Sequence, residues 1–126
     1  MDRQIRVLVA DPVKLMREVM IAAFADQPDI EVVGEAPEES QILPLVNETQ
    51  PDFLFIGLDN PERPPAICET IFRLHPHIHI IAVGAHSNRS VRYWASYNIH
   101  SSPLESSEEA ILHALRKKRA FAGEAS

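Results

Sequence analysis

Apolar residues in this chain come in short blocks whose period switches between about two and about 3.6 residues. Ile5-Arg6-Val7-Leu8-Val9-Ala10 is a β-branched run and predicts a first strand. Asp11-Pro12 follows at once, and a preferred N-cap before a preferred first helical residue predicts a helix start. On that helix Val13, Met16, Met20, Ala23 and Phe24 share the inward face, while Lys14, Arg17 and Glu18 lie away from it. Ile30-Glu31-Val32-Val33-Gly34 alternates like a second strand, and 37–49 reads as a helix with Ile42, Leu45 and Val46 inward. Pro44 inside it predicts a kink or a shortened helix. Phe53-Leu54-Phe55-Ile56-Gly57 is apolar or small throughout, the pattern of a central strand buried on both faces. A Pro-containing loop, a helix over about 65–74 with Ile67, Ile71 and Leu74 inward, and a strand His79–Gly84 come next. Then follow a helix near 88–97, a short strand near 99–101, and a helix over 106–119 starting at Ser106 or Ser107. The last begins with Glu108-Glu109 and ends in Arg116-Lys117-Lys118-Arg119, the charge order a helix dipole favours.

Strand and helix thus alternate five times. This predicts an α/β fold, an open and mostly parallel five-stranded sheet with helices on both faces. In such sheets the functional site lies at the carboxyl ends of the strands, where Asp11, Gly57, Gly84 and Ser102 are expected to converge.

Size and composition narrow the setting. The 126 residues make one domain, 1–119, with 120–126 as a loosely held tail or the start of a linker. A net charge of −6 argues against broad nucleic-acid binding. Cys68 is the single cysteine, so no internal disulfide is available and a reducing, cytoplasmic location is expected. No apolar run is long enough to cross a membrane, and residues 1–10 lack the layout of a signal peptide.

The motifs Ile5–Asp11, Asp29–Ala36, Pro51-Asp52, Pro61 and Ser102-Pro103, in this order and spacing, resemble the receiver domains of two-component response regulators. The resemblance covers residue 5 to about 119 and implies a flavodoxin-like (βα)5 doubly wound sheet in a three-layer sandwich. The segment 29–36 and the tail Ala120–Glu124 look most like regulators with a helix-turn-helix DNA-binding output domain. Family chemistry is phosphoryl transfer to an aspartate, which needs a carboxylate nucleophile and Mg²⁺, with a hydroxyl and a lysine on the phosphoryl oxygens. Asp11 matches one metal-binding acid, but its partner position is Pro12 or is absent. Asp52 and Pro61 both direct the acceptor to position 57, which is glycine. The hydroxyl position is Gly84, the lysine position Ser102 and the switch aromatic Ile99, and Pro103 marks the family's cis peptide. With the reaction's groups gone, the resemblance implies a degenerate receiver that is not an enzyme and needs no metal or cofactor.

Other candidates have plainer readings. Asp11 serves as helix cap and as vestigial ligand, and the two roles do not exclude each other. Asp59 is read as shaping a turn before Asn60-Pro61 rather than replacing the lost carboxylate. His75, His77 and His79 flank Pro76 between a helix end and a strand start, a poor frame for a metal site. Tyr93, Trp94 and Tyr97, with Arg89, Arg92 and Ile99 nearby, cannot all point inward on one helix and are the candidate protein interface. Expected partners are a protein or a second copy, a homodimer, with a DNA-binding output domain beyond this chain; direct nucleic-acid or membrane binding is not expected. The expected function is phosphorylation-independent contact in signal transduction or transcription regulation, with small-molecule or anion sensing in the vacated pocket as the alternative.

Overall fold

The computed structural model describes residues 4–58, 66–84, 89–95, 99–105 and 107–124. In chain order these form β1 (Ile5–Ala10), α1 (Lys14–Ala25), β2 (Ile30–Glu35), a 3-10 turn (Glu39–Gln41) and α2 (Ile42–Thr49). There follow β3 (Phe53–Leu58), α3 (Ala66–Leu74), β4 (His79–Gly84), β5 (Arg89–Ala95), β6 (Ile99–Glu105) and α4 (Glu108–Glu124). All six strands join one sheet in the order β2-β1-β3-β4-β5-β6. β2, β1, β3 and β4 are mutually parallel, whereas β5 and β6 run as antiparallel hairpin strands.

β3 lies at the centre, with Phe53, Leu54 and Phe55 fully buried and Ile56 nearly so. Burial on both faces follows from the two cores the sheet separates. One gathers Leu8, Leu54, Ile56 and Ile80 under Ile42, Val46, Cys68 and Ile71 of α2 and α3. The other gathers Val7, Val9, Phe53, Phe55 and Ile81 under Met20 and Phe24 of α1 and Ile111, Leu112 and Leu115 of α4. The α/β class and the three layers are therefore as expected.

The helices keep their predicted order with local differences. Helix α1 begins at Lys14, with Val13 as its N-cap and no side-chain cap, so Asp11 is not the cap; it bonds the Val13 N–H from one turn earlier. Arg17 is buried and Val13 is exposed, the reverse of the expected face. Pro44 is the third residue of α2, where its missing N–H has no intrahelical acceptor to lose, and the helix is short rather than kinked. In α3 Cys68, Ile71 and Phe72 face inward while Leu74 is exposed. Ser107 caps α4, its Oγ accepting the Ala110 N–H at 3.1 Å.

The largest departure concerns 88–97. Instead of a helix there is β5, and the sheet has six strands rather than five. Ser90, Arg92 and Trp94 alternate with Val91, Tyr93 and Ala95, a period of two in a segment rich in β-branched and aromatic residues. Only residues 85–88 separate β4 from β5 and 96–98 separate β5 from β6. A parallel crossover needs about a dozen residues, so each connection can close only an antiparallel pair. Tyr97 and Asp59 lie outside the described residues, as does Pro61. No peptide bond among the described residues is cis, so the cis bond expected before Pro103 is absent; Pro103 sits instead in the edge strand β6, a position proline tolerates.

Candidate functional site

At the carboxyl edge of the sheet, β1 and β3 lie side by side, Ala10 paired with Ile56. The chain leaves β1 through Asp11, which is almost wholly buried. Its Oδ1 accepts the Val13 N–H at 2.8 Å, and its backbone carbonyl accepts Arg17 Nη1 at 2.9 Å. Arg17 Nε donates to Glu35 Oε1 at 2.8 Å, so one buried guanidinium ties the β1–α1 loop to the end of β2. Asp11 Oδ2 is buried and has no hydrogen-bond partner among the described residues.

Gly57 stands beside this carboxylate. A Cβ built on Gly57 would lie 3.3 Å from Pro12 Cδ and 3.6 Å from Asp11 Oδ2. A longer side chain here would therefore extend beside Asp11. Asp52 is structural: its Oδ2 accepts the Arg6 N–H at 2.9 Å, and its own N–H bonds the Arg6 carbonyl, joining the starts of β1 and β3. Gly84 closes β4 opposite Leu58, one residue beyond Gly57, so Asp11, Gly57 and Gly84 do share the edge. Ser102 does not. It pairs with Arg92, which pairs with Ile81, placing it two strands away at mid-sheet level. The expected convergence of Ser102 and Pro103 on the site is thus corrected, because β6 is the antiparallel edge strand.

Next to Gly57 opens a cleft of about 270 Å³ whose walls include Pro12, Pro37, Ile42, Ile56 and Ile67, with Glu39 the one charged residue among them. No three His, Cys, Asp or Glu side chains among the described residues are grouped to hold a metal ion. Of the 75–79 run, His75 and His77 meet edge to face at 6.1 Å and His75 Nε2 meets Asn47 Oδ1 at 2.7 Å, whereas His79 Nδ1 faces Arg92. Cys68 is buried, and desolvation pushes its thiol up to about 12, leaving it unreactive.

The interface candidates separate by face. Tyr93 is buried in the core under α2 and α3, and burial raises its hydroxyl pKa, with the nearby Cys68 adding to the rise. Arg92 and Trp94 lie on the other face, half-buried. The Arg92 guanidinium sits 5.4 Å from the Trp94 ring centre and donates to His79 Nδ1 at 3.0 Å, while Trp94 stacks on His79 at 6.5 Å. Burial lowers the Arg92 pKa, and no carboxylate among the described residues pairs with it. Arg89 and Ile99 fall in β5 and β6 by backbone. Sequence reasoning turned Arg17 outward and read His79 only as part of a poor metal frame. Position 17 lies on the same helical stripe as Met20 and Phe24, the signal that points it inward.

Four parallel strands in the order 2-1-3-4, helices on both faces and a cleft at the ends of β1 and β3 define an α/β protein of the flavodoxin-like class. No family model matches the chain. It is 36% identical over 74 residues to a protein-glutamate methylesterase/protein-glutamine glutaminase of Thiobacillus denitrificans, covering 58% of this chain and 21% of that protein. It is 39% identical over 57 residues to the transcriptional regulatory protein YhcZ of Bacillus subtilis, covering 45% of this chain and 27% of that protein. The response regulator domain of Thermotoga maritima CheB superposes with a TM-score of 0.55 at 28% identity, over 66% of this chain and 62% of that one. The chain is a relative of the receiver domains of response regulators, and it spans roughly a fifth to a quarter of the length of these two curated relatives.

Proposed function

We propose that this chain is a receiver-like module that does not take up a phosphoryl group and acts by protein contact. The observation that carries this reading is the emptied position itself: Gly57 lies beside the Asp11 carboxylate and offers no nucleophile. The rest of the site agrees. Asp11 alone is a weak Mg²⁺ site, Gly84 offers no hydroxyl, and Ser102 is far from the edge and carries no charge. Arg17 already satisfies the Asp11 carbonyl and Glu35 without a metal. The contact surface in this reading is the β5–β6 face with Arg92 and Trp94, the residue types that dominate protein interfaces. Its setting is two-component signalling and transcription regulation in the cytoplasm, joined to a DNA-binding output domain in a longer protein and performing no reaction itself. Thermal unfolding with Mg²⁺ and beryllofluoride, a phosphoryl mimic, tests it. The expected midpoint shift is none; a Mg²⁺-dependent stabilisation would contradict the reading, since a ligand at 100 times its Kd adds about 2.7 kcal/mol.

A second reading, a small molecule in the vacated cleft, is favoured by the unpartnered Asp11 Oδ2 behind it. With Glu39 on the wall and no cation among the described lining residues, the electrostatics suit a neutral or cationic ligand over an anion.

A further inference from the structure

Buried carboxylate oxygens are ordinarily paired, because an uncompensated charge taken out of water is costly. Asp11 breaks that rule at one atom. The residue is 1% exposed, and its Oδ1 accepts the Val13 N–H at 2.8 Å. Its Oδ2 has no hydrogen-bond partner among the described residues. The Arg17 guanidinium is spent elsewhere, Nη1 on the Asp11 carbonyl and Nε on Glu35.

The unpaired oxygen backs onto one end of the cleft. It would stand 3.6 Å from a Cβ on Gly57, and Gly57 and Pro12 are both wall residues of the cleft. The backbone does not demand glycine at 57, since no glycine among the described residues has a positive φ. What glycine provides is room, because a Cβ would press within 3.3 Å of Pro12 Cδ. Elsewhere the wall is hydrocarbon, chiefly Pro37, Ile42, Ile56 and Ile67, with the exposed Glu39 as a second acid. At about 270 Å³ the cleft falls just below the range of drug-sized pockets, about 300–1,000 Å³, and suits one small ring with a short arm.

We propose that this cleft binds a small primary amine, an ammonium group on a compact apolar body. Each part of the site selects against other occupants. An anion would meet the Asp11 and Glu39 carboxylates and no cation among the described wall residues. A neutral molecule would fill the apolar volume and leave the Asp11 charge uncompensated. A divalent metal takes a full shell of oxygen ligands, whereas the described wall side chains are hydrocarbon apart from Glu39. An ammonium at the Gly57 end faces Oδ2 across the glycine, where low dielectric strengthens the attraction. Its apolar body replaces water against Ile42, Ile56 and Ile67. The inference rests on the second reading above and narrows it to one class of ligand.

Titration of the full, isotope-labelled chain with benzylammonium, benzyl alcohol and benzoate, followed by amide chemical shifts, is the test. Benzylammonium is expected to bind saturably and to move the amides of Ala10, Gly57 and Ile67. Benzyl alcohol, the same ring without the charge, is expected to bind about tenfold more weakly, and benzoate more weakly still. Asp11→Asn keeps an oxygen for the Val13 N–H and should erase the preference for ammonium over alcohol. Glu39→Gln, at the exposed acid, should change that preference by no more than about threefold. Gly57→Ala leaves the carboxylate in place and narrows the end of the cleft, and should weaken benzylammonium by about threefold or more. Three results would overturn the inference and leave the cleft reading standing: benzyl alcohol or benzoate binding as tightly as benzylammonium, a preference for ammonium that survives Asp11→Asn, or a Gly57→Ala chain that binds it as wild type does. No saturable shift with any of the three probes would overturn both.

Discussion

Gly57 and its neighbours show how much one side chain can decide. Spacing from Asp52 and Pro61 directs the expected acceptor to position 57, and a Cβ built on Gly57 would lie 3.6 Å from Asp11 Oδ2. That part of the site was legible because it depends on strand β3, whose apolar run leaves little choice of register. Arg17 was not, because a charged residue among Lys14 and Glu18 reads as solvated until the Asp11 carbonyl and Glu35 are seen to need it. Removing it tests the tie: Arg17→Met is expected to cost about 2 kcal/mol in urea unfolding, chiefly by leaving the buried Asp11 carbonyl without its donor. Gln50 offers the opposite change. It ends α2 in the left-handed region at φ 47°, where glycine is at ease, so Gln50→Gly should raise stability by about 0.5–1 kcal/mol. Cys68 supplies a pH dependence. Its folded pKa is raised from 9.0 to about 12, so above pH 9 the unfolded chain loses a proton that the folded chain keeps. The stability this represents is fully present below pH 9 and declines up to about pH 12, at most about 1.4 kcal/mol per pH unit. In Cys68→Ala the decline over this window should be shallower, checked by denaturant midpoints from pH 8 to 11.

Elements up to β4 followed from periodicity, whereas the segment after Gly84 did not. The segment near 88–97 reads as a helix because aromatic residues such as Tyr93, Trp94 and Tyr97 serve either period. The short connections were the better evidence: four residues between β4 and β5 rule out a parallel return. Once β5 is a strand, Tyr93 enters the core while Arg92 and Trp94 share the opposite face, so the interface candidates divide by alternation rather than by helical angle. Helix α4 is anchored across the sheet by Arg116, which grips Asp29 with bonds of 2.8 and 3.0 Å and reaches Gln27 at 3.0 Å. Both side chains are partly exposed, so Asp29→Ala should cost only about 1 kcal/mol, seen as a small loss of thermal midpoint that high salt reduces.

For the molecule as a whole, the order 2-1-3-4 and the two cores establish an α/β fold of the flavodoxin-like class, while the antiparallel hairpin sets its far side apart from a five-stranded parallel sheet. At the carboxyl edge Asp11, Gly57 and Gly84 lie together. In the proposed reading the module takes up no phosphoryl group. Intact-mass spectrometry of the full chain after incubation with Mg²⁺ and acetyl phosphate tests that most directly. The account predicts an unchanged mass; a stoichiometric adduct, stable in acid and lost in base as an acyl phosphate is, would contradict it.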